Sequence, residues 1–230
     1  MNSKEQYSYR QVVGQLNWIS TQTRPDLAYD VCQLSAKLNT PTIRDLIKAN
    51  KVLKRAKATQ VSLKFKKLIS PLHLLSYCDA SFANLPDGSS QGGMLIFMAD
   101  DHGNTSPLFW SSRKLRRVCR STLTAETMAM LDTVDSCVWL SHIINEICDD
   151  ELKTTIIRTD CMSLKESIYS TTPIHEEKRL RVEIAAIRQS TRNNEIRVEW
   201  IDKEHQLADS LTKQGADSTK LLKTLYTGRI

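Results

Sequence analysis

Four acidic residues of this chain, Asp79, Glu126, Asp160 and Asp209, are of a type and in places that suit metal binding. Asp79 lies inside the apolar segment LLSYCD, and Asp160 follows the β-branched segment TTIIRT. Because a carboxylate inside a buried strand is costly unless something pairs with it, two such acids in one small domain indicate a shared cation. Glu126 lies in the first turns of a long predicted helix, and Asp209 lies near the start of the last one. Magnesium prefers oxygen ligands, so these carboxylates predict a magnesium site.

The chemistry that such a site supports is the cutting of a phosphodiester by metal-activated water. Two Mg²⁺ ions lying roughly 3.5–4 Å apart stabilise the attacking and leaving oxygens in such reactions, and Mn²⁺ can take their place. Each acid alone also has a structural interpretation, because Asp often caps a turn and Glu in a first helical turn suits the helix dipole. The combination of all four, in this order and on these elements, favours the metal site.

The elements that position the acids begin at Leu72. The segments LHLLSYCDASF, SSQGGMLIFMA and PLFWSS predict three strands joined by short turns, hence an antiparallel meander. A long helix over residues 121–148 follows, then the strand TTIIRTDC, the helices MSLKESIYS and EEKRLRVEIAAIRQSTRN, the strand EIRVEWID and a last helix over residues 205–226. The order is β-β-β-α-β-α-β-α, which predicts an α/β protein with a five-stranded mixed sheet and flanking helices.

The first part of the chain predicts a small helical unit. Val12, Val13, Leu16 and Ile19 recur at helical spacing, and two further helices follow Pro25 and Pro41. We therefore divide the chain into a helical region over 1–70, a domain over 71–213 that contains the four acids and the sheet, and a helical tail over 214–230. The four tryptophans, Trp18, Trp110, Trp139 and Trp200, are interpreted as core residues.

Basic and hydroxyl side chains crowd the connection between the third strand and the long helix. Neutralising a phosphate backbone gives affinity without sequence readout, and a helix start can donate hydrogen bonds to phosphate. A solvated loop and simple helix capping are the alternatives for these residues. The third N-terminal helix carries a second group of basic residues, for which a solvated face is equally plausible. The residues of the first group, our candidates for nucleic-acid binding, are Arg113, Lys114, Arg116, Arg117, Arg120, Ser121, Thr122 and Thr124.

Composition narrows the class of protein. The net charge is +6 and hydrophobic residues make up 40% of the chain, which is ordinary for a globular protein. No apolar run approaches the roughly 18 residues of a membrane span, and the N-terminus lacks the apolar stretch of a signal peptide. We expect a cytoplasmic or nuclear protein that is not secreted and has no membrane partner. The six scattered cysteines predict reduced thiols and no zinc site.

The element order and the positions of the four acids resemble the ribonuclease H fold. The words YCDASFAN, FWSSRKLRRVCRSTLTAE, RTDCMSL and HQLADSLTK resemble the acid-bearing motifs of copia-type retrotransposon Pol polyproteins. The resemblance implies that Asp79, Glu126, Asp160 and Asp209 are catalytic metal ligands, and that the substrate is the RNA strand of RNA/DNA hybrids. TRPDLAYDV and KANKVLKRAKAT resemble the thumb or connection segment between the polymerase and ribonuclease H. An upstream reverse transcriptase polypeptide is therefore an expected partner.

Two features depart from that pattern. The paired aspartates of a polymerase are absent in their usual setting, since Asp149-Asp150 follows a helix and Asp100-Asp101 lies at a strand end, so we expect no polymerase active site. His205 lies only four residues before Asp209, so both a catalytic histidine and a plain helix-start residue are open interpretations. A non-catalytic module that binds nucleic acid or a polymerase is the alternative to the nuclease. A strand-transfer enzyme of the integrase type lacks support in the placement of the acids.

Overall fold

The computed structural model describes residues 1–148, 151–170 and 177–230, so the Asp149-Asp150 pair lies outside the described residues. The helices and strands follow the predicted order. In chain order they are α1 (Ser3–Gln22), α2 (Ala28–Ser35), α3 (Ile43–Ala58), β1 (Leu72–Ser81), β2 (Gln91–Asp100), β3 (Thr105–Lys114), α4 (Thr122–Ile147), β4 (Lys153–Thr159), α5 (Met162–Tyr169), α6 (Lys178–Arg192), β5 (Ile196–Trp200) and α7 (Thr219–Thr227).

The five strands form one mixed sheet in the order β3-β2-β1-β4-β5. β1, β2 and β3 pair antiparallel, which confirms the predicted meander, whereas β4 pairs parallel with both β1 and β5. Because alternate residues of a strand point to opposite faces, β1 contributes to two cores. Leu74 and Cys78 pack with α4, α5 and α6 on one face, while Leu75 and Tyr77 pack with α7 on the other. The predicted five-stranded mixed sheet with flanking helices is confirmed.

The first three helices form a core of their own and also contact the sheet. α1 and α3 each begin with a capping box, at Asn2 and Thr42, in which side chain and backbone donors are satisfied reciprocally. Apolar side chains from all three helices are buried together, among them Tyr9, Leu16 and Val31. The indole nitrogen of Trp110 in β3 donates a 2.6 Å hydrogen bond to the carbonyl of Ser20, which ties α1 to the sheet. None of the helices in the described ranges combines the length and apolar character needed to cross a bilayer.

The prediction of one continuous last helix over residues 205–226 is wrong. Two short 3-10 turns, Lys203–His205 and Asp209–Leu211, precede α7, which begins only at Thr219. Leu207, Ala208 and Leu211 are buried against the sheet, and Gly215 then takes a positive φ of 70° that a continuing helix does not allow. The segment that contains the two 3-10 turns therefore packs against the sheet, and α7 starts only after it.

The interpretation of the tryptophans as core residues is wrong for three of them. Trp18 is 67% exposed and Trp139 is 62% exposed, because each lies on the outer face of its helix. Trp200, at the end of the edge strand β5, is 40% exposed, and only Trp110 is half-buried. Amphipathic periodicity alone did not distinguish the outer face of α1 from its buried stripe.

Candidate metal centre

Two adjacent glycines in β2 leave space beside the end of β1 that carries Asp79. Asp79 is the cross-strand partner of Gly93, and Ala80 is the partner of Gly92. A Cβ atom at Gly93 would lie 2.8 Å from Cβ of Leu211 and 2.9 Å from Cγ2 of Thr212, so the turn after Asp209 rests directly on the sheet. A Cβ atom at Gly92 would lie 2.8 Å from the Leu115 side chain and 3.5 Å from Cβ of Ala129 in α4. Gly93 thus admits the Asp209 turn to the end of β1, while Gly92 leaves room for the Leu115 side chain.

Three of the four predicted carboxylates converge. Carboxylate oxygens of Asp79, Glu126 and Asp160 all lie within 4.8 Å of one another. Asp79 lies near the end of β1, and Asp160 directly follows β4. The parallel pairing of β4 with β1 brings these two strand ends together. Glu126 reaches them from the first turns of α4. Asp79 and Glu126 are only 2% and 5% exposed, and Asp160 is half-buried.

The electrostatics of these carboxylates favour a bound cation. Burial raises the pKa of Glu126, and the neighbouring charges of Asp79 and Asp160 raise it further. Burial also raises the pKa of Asp79, although Lys213 and a hydrogen bond from Thr212 act in the opposite direction. Like charges at this separation cannot all ionise without a compensating positive charge. A cation that binds here would therefore replace protons.

The residues present fit a hard divalent cation such as Mg²⁺. Oε2 of Glu126 is buried and has no hydrogen-bond partner among the described residues, and a buried polar atom of this kind calls for a ligand. The other converging donors are also carboxylate oxygens, which magnesium prefers. The nearby thiol of Cys78 is fully buried, and burial raises its pKa well above its ordinary value. Because only the thiolate is a good metal ligand, the donor set is one of oxygens.

Asp209, the fourth predicted ligand, lies beside this group and does not join it. It begins a 3-10 turn, and its carboxylate is in contact with the ammonium group of Lys213. The same ammonium nitrogen lies 3.7 Å from Oδ2 of Asp79. The buried hydroxyl of Thr212 donates a hydrogen bond to Oδ2 of Asp79, and its oxygen lies 3.1 Å from the carbonyl oxygen of Asp209. Sequence reasoning missed Thr212 and Lys213, although both stand in the LADSLTK word that located Asp209.

Two of the basic candidates, Arg113 and Lys114, end β3, and the other three lie on the connection from β3 to α4, the helix that carries Glu126. Three of them have acidic partners: Arg113 pairs with Asp132, Lys114 with Asp87 and Arg117 with Glu183. Arg116 and Arg120 are exposed.

The hydroxyl candidates lie at the start of α4. Ser121 is the N-cap residue, and its hydroxyl accepts a 3.1 Å hydrogen bond from the backbone N–H of Thr124. Thr124 is half-buried and Thr122 is exposed. Capping, the alternative interpretation, therefore describes what Ser121 does in this structure.

His205 does not belong to the group of converging side chains. It ends the first 3-10 turn, and its side chain is 68% exposed. Its Nδ1 atom lies 2.8 Å from both carboxylate oxygens of Asp202, the residue that caps this turn. The expectation that His205 lies at the start of a long helix is therefore wrong, while its catalytic role stays a prediction.

Comparison with known proteins gives relatives among transposon polyproteins. No family model matches the chain. The retrovirus-related Pol polyprotein from transposon RE1 of Arabidopsis thaliana is 27% identical over 208 residues, which is 89% of this chain and 14% of the polyprotein. The putative transposon Ty5-1 protein of Saccharomyces cerevisiae is 37% identical over 112 residues, which is 48% of this chain and 34% of that protein. The chain thus spans about a seventh of the length of the first relative.

A solved structure shares the fold over most of the chain. The foamy viral protease-reverse transcriptase, in complex with an RNA/DNA hybrid, aligns with 95% of this chain and 29% of its own, with a TM-score of 0.51 and 9% identity. At this identity the likeness concerns the fold alone. Together with the observed order of elements, it confirms the ribonuclease H-like fold expected from the sequence. The chain is a homologue of retrovirus-related Pol polyproteins of transposons, which confirms the family resemblance.

Proposed function

We propose that this homologue of transposon Pol polyproteins is a magnesium-dependent endonuclease that hydrolyses the RNA strand of RNA/DNA hybrids. The observation that carries the proposal is the convergence of Asp79, Glu126 and Asp160 from three separate elements to within 4.8 Å of one another. Asp79 and Glu126 are almost completely buried, and burial of a carboxylate oxygen without a partner, such as Oε2 of Glu126 among the described residues, is costly without a cation. A bound cation would offset this cost of burial. Hydrolysis of a phosphodiester is the chemistry of such a site that fits the family.

In this proposal the chain's own residues hold the metal and the substrate. Asp79, Glu126 and Asp160 would bind Mg²⁺, with Asp209 as the expected further ligand when a second ion is present. Bound magnesium supplies Lewis acidity, which lowers the pKa of the attacking water and stabilises the leaving 3′ oxygen. The buried Thr212 hydroxyl orients the Asp79 carboxylate through its hydrogen bond. Gly93 gives the segment of Thr212 the room to do so.

The substrate side of the proposal rests on exposed positive charge near the acids. Arg116 and Arg120 lie on the connection that leads into α4, and Glu126 is within the first turns of that helix. Contacts to phosphates from these side chains would hold a duplex without reading its sequence. The foamy viral enzyme that shares the fold was solved with an RNA/DNA hybrid, which supports the choice of substrate.

We propose that the N-terminal helices correspond to the thumb or connection region of a reverse transcriptase. The Pol relative is far longer than this chain, so an upstream polymerase polypeptide is the natural partner. Within α3, Lys48 and Arg55 pair with Asp30. Lys51, Lys54 and Lys57 stay exposed and could follow a bound duplex upstream of the acids.

The test is cleavage of an end-labelled RNA/DNA hybrid by the purified 230-residue chain in the presence of MgCl₂. We expect cutting within the RNA strand, loss of cutting with EDTA, and loss of at least about a hundredfold in rate for Asp79→Asn. Duplex DNA of the same sequence, which should stay intact, separates this activity from strand transfer. A folded wild-type chain that binds the hybrid and leaves it uncut would contradict the proposal and support the non-catalytic module.

A further inference from the structure

We propose that Lys213 is a positioning residue of the acidic site, whose ammonium group holds Asp209 beside Asp79 and competes with a divalent cation for these carboxylates. The inference rests on the proposed function, because it concerns how the same acids receive a metal. It assigns a role to a residue that is neither a predicted ligand nor a predicted contact to nucleic acid.

The contacts of Lys213 place a positive charge between two of the four acids. Its ammonium group contacts Oδ1 of Asp209 and lies 3.7 Å from Oδ2 of Asp79. The side chain of Asp79 is 2% exposed, that of Asp209 is 23% exposed and that of Lys213 is 36% exposed. The ammonium group is therefore screened from water on the side of the acids and reachable from the other side.

The acidic site consequently has two unlike halves that share Asp79. In one half, Glu126 and Asp160 converge with Asp79, and Oε2 of Glu126 lacks a partner in the described part of the chain. In the other half, Asp79 and Asp209 are already joined by the ammonium group of Lys213. The first half is ready for a cation, whereas the second half contains one that the chain provides.

Local backbone structure fixes this arrangement. Asp209 and Lys213 are four residues apart, and the 3-10 turn between them keeps both side chains on the side of Asp79. Thr212 anchors the turn to Asp79, and the side chain of Asn84 donates a 2.9 Å hydrogen bond to the carbonyl of Thr212. A rigid turn of this kind leaves the lysine side chain, with its four rotatable bonds, as the part that can move.

Competition follows from charge and space. An ammonium ion and a divalent cation repel each other, and both need the oxygens of Asp79. Lys213 also lines a cleft of about 210 Å³ between the 210–218 segment and the N-terminal helices, together with Asp26 and Asp30. This cleft would give the Lys213 side chain room to withdraw if a metal ion were held by these carboxylates. The competing interpretation is an ion pair that only stabilises the turn and leaves metal affinity unchanged.

The experiment measures Mn²⁺ binding to the full chain by isothermal titration calorimetry. Lys213→Gln removes the charge and keeps most of the reach, Lys213→Arg keeps the charge, and Lys220→Gln removes an exposed lysine elsewhere on the surface. We expect Lys213→Gln to bind Mn²⁺ on the order of tenfold more tightly than the wild type, as removal of a nearby like charge implies. Lys213→Arg and Lys220→Gln should match the wild type.

Equal affinity in the wild type and Lys213→Gln would overturn the role of Lys213 and leave the proposed metal site standing. Absence of binding in both proteins would overturn the metal site and the role of Lys213 together.

A measurement on the wild type needs no variant and guards against misfolding of Lys213→Gln. Labelling by an amine-reactive reagent, followed residue by residue by mass spectrometry, should become several-fold faster at Lys213 when MgCl₂ is added. The labelling rate of Lys220 serves as the internal reference and should not change. A rate at Lys213 that is the same with and without MgCl₂ would contradict displacement of the ammonium group.

Discussion

Asp79 and Gly93 face each other across the antiparallel pair of β1 and β2, and the missing side chain of Gly93 is what admits the Asp209 turn to the acidic site. Asp79 carries a carboxylate, whereas its cross-strand partner Gly93 has no side chain. The position of the Asp79 carboxylate thus depends both on the buried strand β1 and on the space left by Gly93 in β2.

Replacement of Gly93 by alanine should therefore disturb the turn. Its new methyl group would lie within 3 Å of Leu211 and Thr212, and overpacking of this kind costs about 1–3 kcal/mol in the free energy of unfolding. Urea denaturation of the metal-free protein measures the loss. Gly14→Ala is the matched control, because a Cβ at this exposed position in α1 meets nothing within 4 Å, so the change should stabilise the protein by about 0.5–1 kcal/mol. Equal effects of the two changes would contradict the close approach at Gly93.

Replacement of the Glu126 carboxyl group by an amide, which cannot ionise, should stabilise the protein without metal. The carboxylate is buried, its pKa is raised by burial and Oε2 lacks a partner among the described residues. Glu126→Gln should increase the metal-free free energy of unfolding by on the order of 1 kcal/mol at neutral pH and abolish the stabilisation by MgCl₂. Thermal melts with and without MgCl₂ measure both effects. Glu146→Gln, an exposed change in the same helix, should alter neither.

Stability without metal should fall as the pH rises through the neutral range. The pKa values of Asp79 and Glu126 are raised in the folded protein above their unfolded values of about 4. At any pH between the unfolded and the folded pKa, the folded state therefore binds more protons than the unfolded state. The slope of unfolding free energy against pH is then negative above about pH 5, and the protein is most stable where both acids are protonated. Urea denaturation with EDTA from pH 5 to pH 8 gives the slope.

The same pH series contains its own control. Addition of MgCl₂ should stabilise most at the high end, where the metal no longer competes with protons. Glu126→Gln should flatten the metal-free slope. A slope of unfolding free energy against pH that is zero or positive in the wild type with EDTA would contradict the raised pKa values of Asp79 and Glu126.

The exposed arginines before α4 should contribute to binding of nucleic acid through charge alone. The double variant Arg116→Ala/Arg120→Ala should bind an RNA/DNA hybrid more weakly, and its slope of log affinity against log salt should become shallower by about one per lost phosphate contact. Fluorescence anisotropy with the Asp79→Asn background measures affinity without cleavage. Arg44→Ala, at an exposed position of α3, is the single-charge control. Unchanged salt dependence in the double variant would remove this connection from the interface.

Much of the architecture could be read from the sequence because its signals are local. The β-branched and apolar segments of β1, β2 and β4 have the length and the flanking turns of strands, and α4 keeps its helical period throughout. The convergence of Asp79, Glu126 and Asp160 also followed, since each was assigned to a correct element and the element order suggested the fold.

The arrangement around Asp209 could not be read in the same way. The prediction of a helix over residues 205–226 used local sequence, whereas Leu207, Ala208 and Leu211 are buried against the sheet. The close approach of this segment depends on Gly93, which is far away in the sequence. Lys213 looked like an ordinary basic residue because its partners, Asp79 and Asp209, become neighbours only when the turn docks. The exposure of Trp18 was hidden for a related reason, since periodicity does not say which stripe of α1 another helix covers.

The parallel pairing of β1 with β4 also bears on how the protein is made. β4 starts at Lys153, and α4 with its flanking connections separates it from the meander. We expect this long-range pairing to form late in folding, because a large loop must close before the contacts between the two strands can form. On the ribosome, a nascent chain would carry Asp79 and Glu126 well before Asp160 emerged, with one edge of β1 still open. Asp79, Glu126 and Asp160 therefore come together only when the sheet is nearly complete.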